Sequence, residues 1–425
     1  MQDKKVLIIS HNAFSTSNNM GKTLSGLFGG FEKLNLAQLY FHVSDSDIDL
    51  CKTSFKITDK DILKSLYTFK AWGKRVEDIR EVKYEENELT ERVYKFGQKR
   101  TAGKHLARDI MWKIGRWKSK ELFEWIEEFK PDAIFYAAGY AMFSYNIALF
   151  IAKKYKIPLI TYFCDDYYDY NYSQNNSIIA NIRMKFFRNK VEEIIVESSQ
   201  LVFISDSMMK KYKEIFNKEG VVVMTPYTSC EQERKVMHNP LKIVYAGSVM
   251  SNRWKTLQKI GEALEQINKN KQQIILEIYS QGVEPEIISK LSMGQSMVFK
   301  GAVDADKVKM IYKDADILLH IESFLEKDII RVKHSISTKI ADCLASNRVF
   351  LAVGPSEIAS IEYLEKNNAA YIIKDETQIL DKLEYYFIKN EINSNIIDNA
   401  YKLSNKNHNK TINMDKIKMI INNLS

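Results

Sequence analysis

The side chains best suited to chemistry concentrate between His320 and Asn347, in the run HIESFLEKDIIRVKHSISTKIADCLASN. The run leaves a strand, crosses a loop with charges at both flanks, and enters a helix. The first turn of that helix carries Ser335, Ser337, Thr338 and Lys339, and its inner face offers Asp342. The first N–H groups of a helix lack intrahelical partners and carry partial positive charge. Such a start can seat a phosphate or a diphosphate. One turn further in, Asp342 can accept hydrogen bonds from the hydroxyls of an attached ribose. The same residues also describe an ordinary N-cap and a solvated helix acid, so the rest of the chain has to decide.

Those residues need a scaffold, and the chain supplies one. Lys5 to Ser10 reads as a buried parallel strand, followed by the polar loop HNAFSTSNNMGKT and a helix from about Leu24. A Walker A loop needs Gly at position 16, where Thr16 stands, and no GxGxxG follows. A P-loop and a dehydrogenase fingerprint are therefore excluded. What is left is a loop with His11, Gly21 and Lys22 at a strand's C-terminal end, where open α/β sheets bind ligands.

Leu34 to Val43 reads as a second strand, and Ile62 to Lys130 as mainly helical and basic. Pro131-Asp132 opens a βαβ crossover: strand Ala133–Ala138, helix 141–155 and strand Ile157–Phe163. It delivers Asp165 and Asp166 to a strand end, where paired carboxylates can bind metal, orient a hydroxyl or act as a base. Surface turn acids are the alternative. Further strands at Leu201–Ser205 and Val221–Thr225 follow. The pattern restarts at Lys242–Tyr245 and continues through Ile274–Tyr279, Met297–Lys300, Ile317–His320 and Val349–Val353. The expected organisation is an α/β protein of two Rossmann-like parallel-sheet domains facing a cleft. Residues 1–228 form the first domain, 229–240 a linker, 241–400 the second, and 401–425 a helical tail that packs back on the first.

Composition narrows the class. A net charge of +8 over 425 residues suits phosphorylated ligands or an anionic membrane surface, and no nucleic-acid motif accompanies it. Four dispersed cysteines without a CxxC predict a reduced, cytoplasmic setting with neither disulfides nor a zinc site. The charged N-terminus does not read as a signal peptide. Ala133 to Ala152 is uncharged over membrane-spanning length, but Gly139, Ser144 and Asn146 divide it into a strand and a helix. Within residues 104–118, Leu106, Ile110, Ile114 and Trp117 recur at helical spacing beside Lys104, Arg108, Lys113, Arg116 and Lys118. Such a helix can lie on an anionic bilayer at the inner face of the cell membrane, or pack its apolar stripe on a sheet.

Taken in order, VYAGSVMSNRWKTL (244–257), ADILLHIESF (315–324) and STKIADCLASNRVFLAVGP (337–355) resemble the GT-B glycosyltransferases, especially family-4-like enzymes of bacterial surface-polysaccharide assembly. FISDSMMKKY (203–212) and the Gly21 loop are weaker echoes. The resemblance implies a hexosyltransferase-type enzyme that uses a nucleotide sugar as donor, with no cofactor and no metal. The acceptor is a glycan or a lipid-linked glycan. Gly247 lies in the first of these motifs, and Arg253 and Lys255 after it would contact the donor diphosphate. His334, Ser335, Ser337, Thr338 and Lys339 would line the same site, with Asp342 against the ribose. The family pattern places two glutamates eight positions apart; here they are His334 and Asp342, and Glu322 takes a sugar-facing role. Asn347 replaces the glycine that ends the motif helix. Transfer with retention is expected, with His11, Asp165, Asp166, Gly21 and Lys22 on the acceptor side. A non-catalytic GT-B subunit of a transferase complex and a nucleotide-sugar epimerase are the alternatives.

Overall fold

A computed structural model describes residues 4–16, 19–76, 102–169, 178–227, 233 and 237–424. The chain divides into two compact units, Met1–Val223 with Met414–Ser425, and Met224–Asn413. The division thus falls at 223/224 and 413/414. Of the expected linker, residues 237–240 belong to the second unit, and residues 229–232 and 234–236 lie outside the described residues.

The first unit holds eight strands: β1 Val6–Ser10, β2 Leu36–Tyr40, β3 Thr53–Lys56, β4 Lys74–Val76, β5 Ala133–Ala137, β6 Leu159–Phe163, β7 Gln200–Phe203 and β8 Gly220–Val222. Their order across the sheet is β4-β3-β2-β1-β5-β6-β7-β8. Every pair is parallel except β3/β4, which forms the antiparallel edge. β1 shows why an unbroken apolar run becomes a central strand. Leu7 and Ile9 point into one core with Trp125 and Tyr136, and Val6 and Ile8 into another with Phe14 and Phe135. Side chains alternate along a strand, so one covered on both faces has no polar face to show.

The second unit holds β9 Leu241–Ala246, β10 Ile274–Tyr279, β11 Met297–Gly301, β12 Ile317–Ile321, β13 Val349–Val353 and β14 Tyr371–Ile373. All are parallel, in the order β11-β10-β9-β12-β13-β14. This is the doubly wound order, in which successive strands run outward first on one side of β9 and then on the other.

Several sequence expectations need correction. β3 and β4 are short and polar, and the expected helical region from Ile62 contains β4. The helix Ile178–Glu197 carries apolar residues around its whole circumference, so no stripe announces it. The loop after β12 contains a helix, Glu326–Val332. As expected, residues 133–152 resolve into β5 and most of the helix Met142–Tyr155, and no helix among the described residues is long and apolar enough to cross a membrane. The closing helix Lys410–Asn422 seats Ile417 and Ile421 in the core formed by Val6, Ile8 and Phe14.

Candidate functional site

In an open doubly wound sheet, a crevice opens at the strand ends where the winding reverses. In the second unit that point lies between β9 and β12, which pair directly. Gly247 follows one strand and Glu322 the other.

Glu322 is 4% exposed. Arg253, the first residue of the helix Arg253–Ile267, reaches it through both Nη2 (2.7 Å) and Nε (2.9 Å) to Oε2. The loop carrying Arg253 is held in place by its own backbone and by the helix Glu326–Val332. Ser251 and Asn252 both sit in the left-handed region, at φ 54° and 56°. Asn252 Nδ2 donates to Asp328 Oδ2 (2.7 Å), which also accepts from Ser323 Oγ (3.0 Å). Arg331 Nη1 donates to Ser251 Oγ (2.9 Å), and Thr256 Oγ1 donates to the Glu322 carbonyl (2.9 Å). The short helix missing from the sequence reading is therefore the brace that aims Arg253.

Lys339 lies against Gly247 and Tyr245. A Cβ on Gly247 would overlap its Nζ and come within 2.9 Å of the Tyr245 ring, so glycine keeps this approach open. Lys339 Nζ stands 5.9 Å from the Tyr245 ring centre. Both cations act on the same two neighbours. Burial raises the Glu322 carboxyl above its ordinary value, against the pull of Arg253 and then Lys339. Burial, Arg253 and Lys339 together push His320 down to about 3, so its ring is neutral; Nε2 lies 3.3 Å from Ser360 Oγ. Buried Glu322 thus lies in the field of two cations, with Asp328 the second buried carboxylate acting on Arg253; converging cations can take an anionic ligand.

Other candidates fall elsewhere. Lys255 is exposed, with Nζ 5.6 Å from the Trp254 ring; Lys339, not Lys255, accompanies Arg253. The helix expected to begin near Ser335 begins at Lys339 and runs only to Ala345, with no side-chain cap from Thr338. His334, Ser335 and Ser337 precede it at intermediate exposure, and Asp342 lies on it, also half-buried. Asn347 adopts φ 56°, the left-handed conformation that glycine usually supplies.

In the first unit, Gly21 and Lys22 lie inside the helix Asn19–Phe28 rather than in a loop. Gly21 is a packing residue, since a Cβ there would overlap the Ala13 carbonyl oxygen. The loop after β1 is fixed by buried Gln38: Oε1 accepts from Phe14 N (3.0 Å), and Nε2 donates to Ser10 Oγ (3.0 Å). His11 stacks edge-on against His42 at 5.8 Å. Asp166 is committed to structure. It accepts from Lys211 Nζ (2.5 Å), Tyr212 OH (3.1 Å) and Tyr168 N (3.1 Å), which leaves a carboxylate poorly placed to act as a base. Asp165 is half-buried beside it. No group of three or more acidic, His or Cys residues arranged to hold a metal is found among the described residues.

No family profile matches the sequence, and no curated protein does. Solved structures do. The Anabaena protein HepE in complex with UDP superposes with a TM-score of 0.61 at 11% identity, covering 99% of this chain and 100% of that one. A glycosyltransferase from Rickettsia africae gives 0.60 at 14% identity, with 99% and 100% covered. Sucrose-phosphate synthase from Thermosynechococcus elongatus gives 0.59 at 9%, with 98% of both chains covered. The chain therefore has the GT-B fold along its whole length.

Proposed function

We propose that the protein is a glycosyltransferase that takes its sugar from a nucleoside-diphosphate donor. The observation that carries this reading is the meeting of Arg253 and Lys339 around Glu322 at the point where the second sheet's winding reverses. On this reading the diphosphate binds against Arg253 and Lys339, and the Glu322 carboxylate turns toward the sugar. Negative charge develops on the departing nucleoside diphosphate, and preorganised cations stabilise it where it forms. Asp342, on the helix that begins with Lys339, takes the ribose. The acceptor, a glycan or a lipid-linked glycan of surface-polysaccharide assembly, sits on the first unit near His11, and transfer proceeds with retention at the anomeric carbon. Support for the donor comes from the neighbours: HepE has been solved with UDP-glucose as well as with UDP.

The test is a panel of nucleotide sugars, followed by release of nucleoside diphosphate with and without candidate acceptors. Release that depends on an acceptor is expected. Interconversion of donor sugars without an acceptor would identify an epimerase instead. Turnover only after addition of a second chain would identify a subunit of a complex. Absence of binding to UDP, GDP, ADP and TDP alike would remove the donor site.

A further inference from the structure

On one face of the first unit, the helix Ala102–Ile114 packs against Asp59–Thr68, Met142–Tyr155 and Ile178–Glu197. A groove of about 1170 Å³ runs between them. Its floor is aromatic: Trp112 lies flat on Phe143, with ring centres 3.6 Å apart, and Trp117 meets Phe150 edge-on at 5.3 Å. Its lips are apolar and uncovered. Phe69, Ile110 and Phe186 are 68%, 49% and 61% exposed. Ile114 and Ile182, one turn away on two of these helices, extend the strip. Single exposed apolar residues are ordinary, whereas a contiguous set marks an interaction surface.

The charges along the groove are one-sided. Its two acids are already engaged, Asp109 by Arg183 (2.6 Å) and Glu193 by Lys190 (2.7 Å). Lys113, Arg116 and Lys118 pair with no carboxylate among the described residues. Arg116 Nη1 instead donates to the Phe69 carbonyl (2.7 Å), and Lys118 Nζ stands 3.7 Å from the Phe150 ring centre.

We propose that this face docks on an anionic phospholipid bilayer. The apolar lips enter at the boundary between headgroups and acyl chains, and the three cations meet lipid phosphates. A second copy of the chain would bring like charge against like. An acidic protein surface would satisfy the cations and leave the apolar lips facing polar groups. A bilayer with anionic lipid satisfies both. The inference rests on the first unit alone and stands apart from the transferase reading.

The experiment is sedimentation of the full chain with phosphatidylcholine vesicles, against vesicles in which a third of the lipid is phosphatidylglycerol. Binding to the anionic vesicles only, weakening as salt rises, is expected. Lys113→Glu with Lys118→Glu should lower partitioning by about 25-fold or more, about fivefold for each cation lost. Ile110→Ser with Phe186→Ser should lower it without moving the thermal midpoint, since both residues are exposed. Binding to neither vesicle, equal binding to both, or indifference to all four substitutions would overturn the proposal. So would a dimer that the Ile110 and Phe186 substitutions dissolve, which would give this face to a second copy.

Discussion

Arg253→Ala tests the candidate site through two measurements that must agree. Glu322 is almost wholly buried and Arg253 is its nearest cation. Taking one partner from a buried ion pair costs about 3–5 kcal/mol when the other stays charged. Here the carboxyl can escape by taking up a proton. Its ordinary value is 4.5, so protonation at pH 7 costs about 3.4 kcal/mol (2.5 pH units at 1.36 each). That caps the loss, and the cap falls to about 2 kcal/mol at pH 6. The sign follows from linkage. A carboxyl whose folded value is raised contributes stability that is present below its ordinary value and lost as pH rises through the folded value. Removing Arg253 raises that value further, so the variant's deficit grows with pH once pH exceeds the native carboxyl's own folded value, which lies above 4.5. Lys339 remains nearby and moderates it. Urea unfolding of both proteins at pH 5, 6 and 7 reads this directly. Calorimetry with nucleoside diphosphates supplies the second measurement: losing a charged hydrogen-bond partner should weaken binding by about 1.5–3 kcal/mol, with Lys255→Ala unchanged as the control. A deficit independent of pH would refute the account of Glu322, and an unaltered affinity would move the phosphate site elsewhere.

Three further outcomes are expected. Gly247→Ala should displace the Lys339 amine and lower nucleoside-diphosphate affinity by roughly 1.5 kcal/mol; calorimetry showing no change would mean that Lys339 does not touch the ligand. Asp166→Ala should destabilise the first unit by about 1–3 kcal/mol in urea unfolding, because the buried Tyr212 hydroxyl loses its acceptor and half-buried Lys211 is left with Asp169 alone; a neutral result would contradict its structural assignment. His320 is held neutral down to about 3, against 6.5 in an ordinary setting, so it contributes stability that is lost as pH falls from 6.5 toward 3. His320→Asn should flatten that slope by about 1.4 kcal/mol per pH unit, and an unchanged slope would mean that the ring already carries a proton.

The scaffold was legible wherever one residue pattern had one physical meaning. Val6 to Ile9 can only be a strand covered on both faces, and the five later runs that became β9 to β13 are equally plain. β3 and β4 escaped because Thr53–Lys56 and Lys74–Val76 are short and mostly polar, with no apolar run to announce a strand, although β3 is buried and paired on both sides. The site was legible in composition and illegible in partnership. Arg253, Gly247, Lys339 and Glu322 were all singled out, yet nothing in the order of residues joins Arg253 to a glutamate 69 positions away or demotes Lys255. Asp166 illustrates the opposite failure. A double aspartate at a strand end reads as chemistry, and only the placement of Lys211 and Tyr212, some 45 residues downstream, turns it into a fastening.

The route of the polypeptide bears on how the molecule is made. The second unit is one continuous stretch, Met224–Asn413, whereas the first is interrupted and takes back residues 414–425. Ile417 and Ile421 fill a core begun by Val6 and Ile8, and Lys4 Nζ donates to the carbonyl of Leu424 (2.5 Å). A ribosome therefore delivers every residue of the second unit before the first can be completed. A chain cut short after residue 413 would retain all that the second unit needs and leave a hydrophobic seam open in the first.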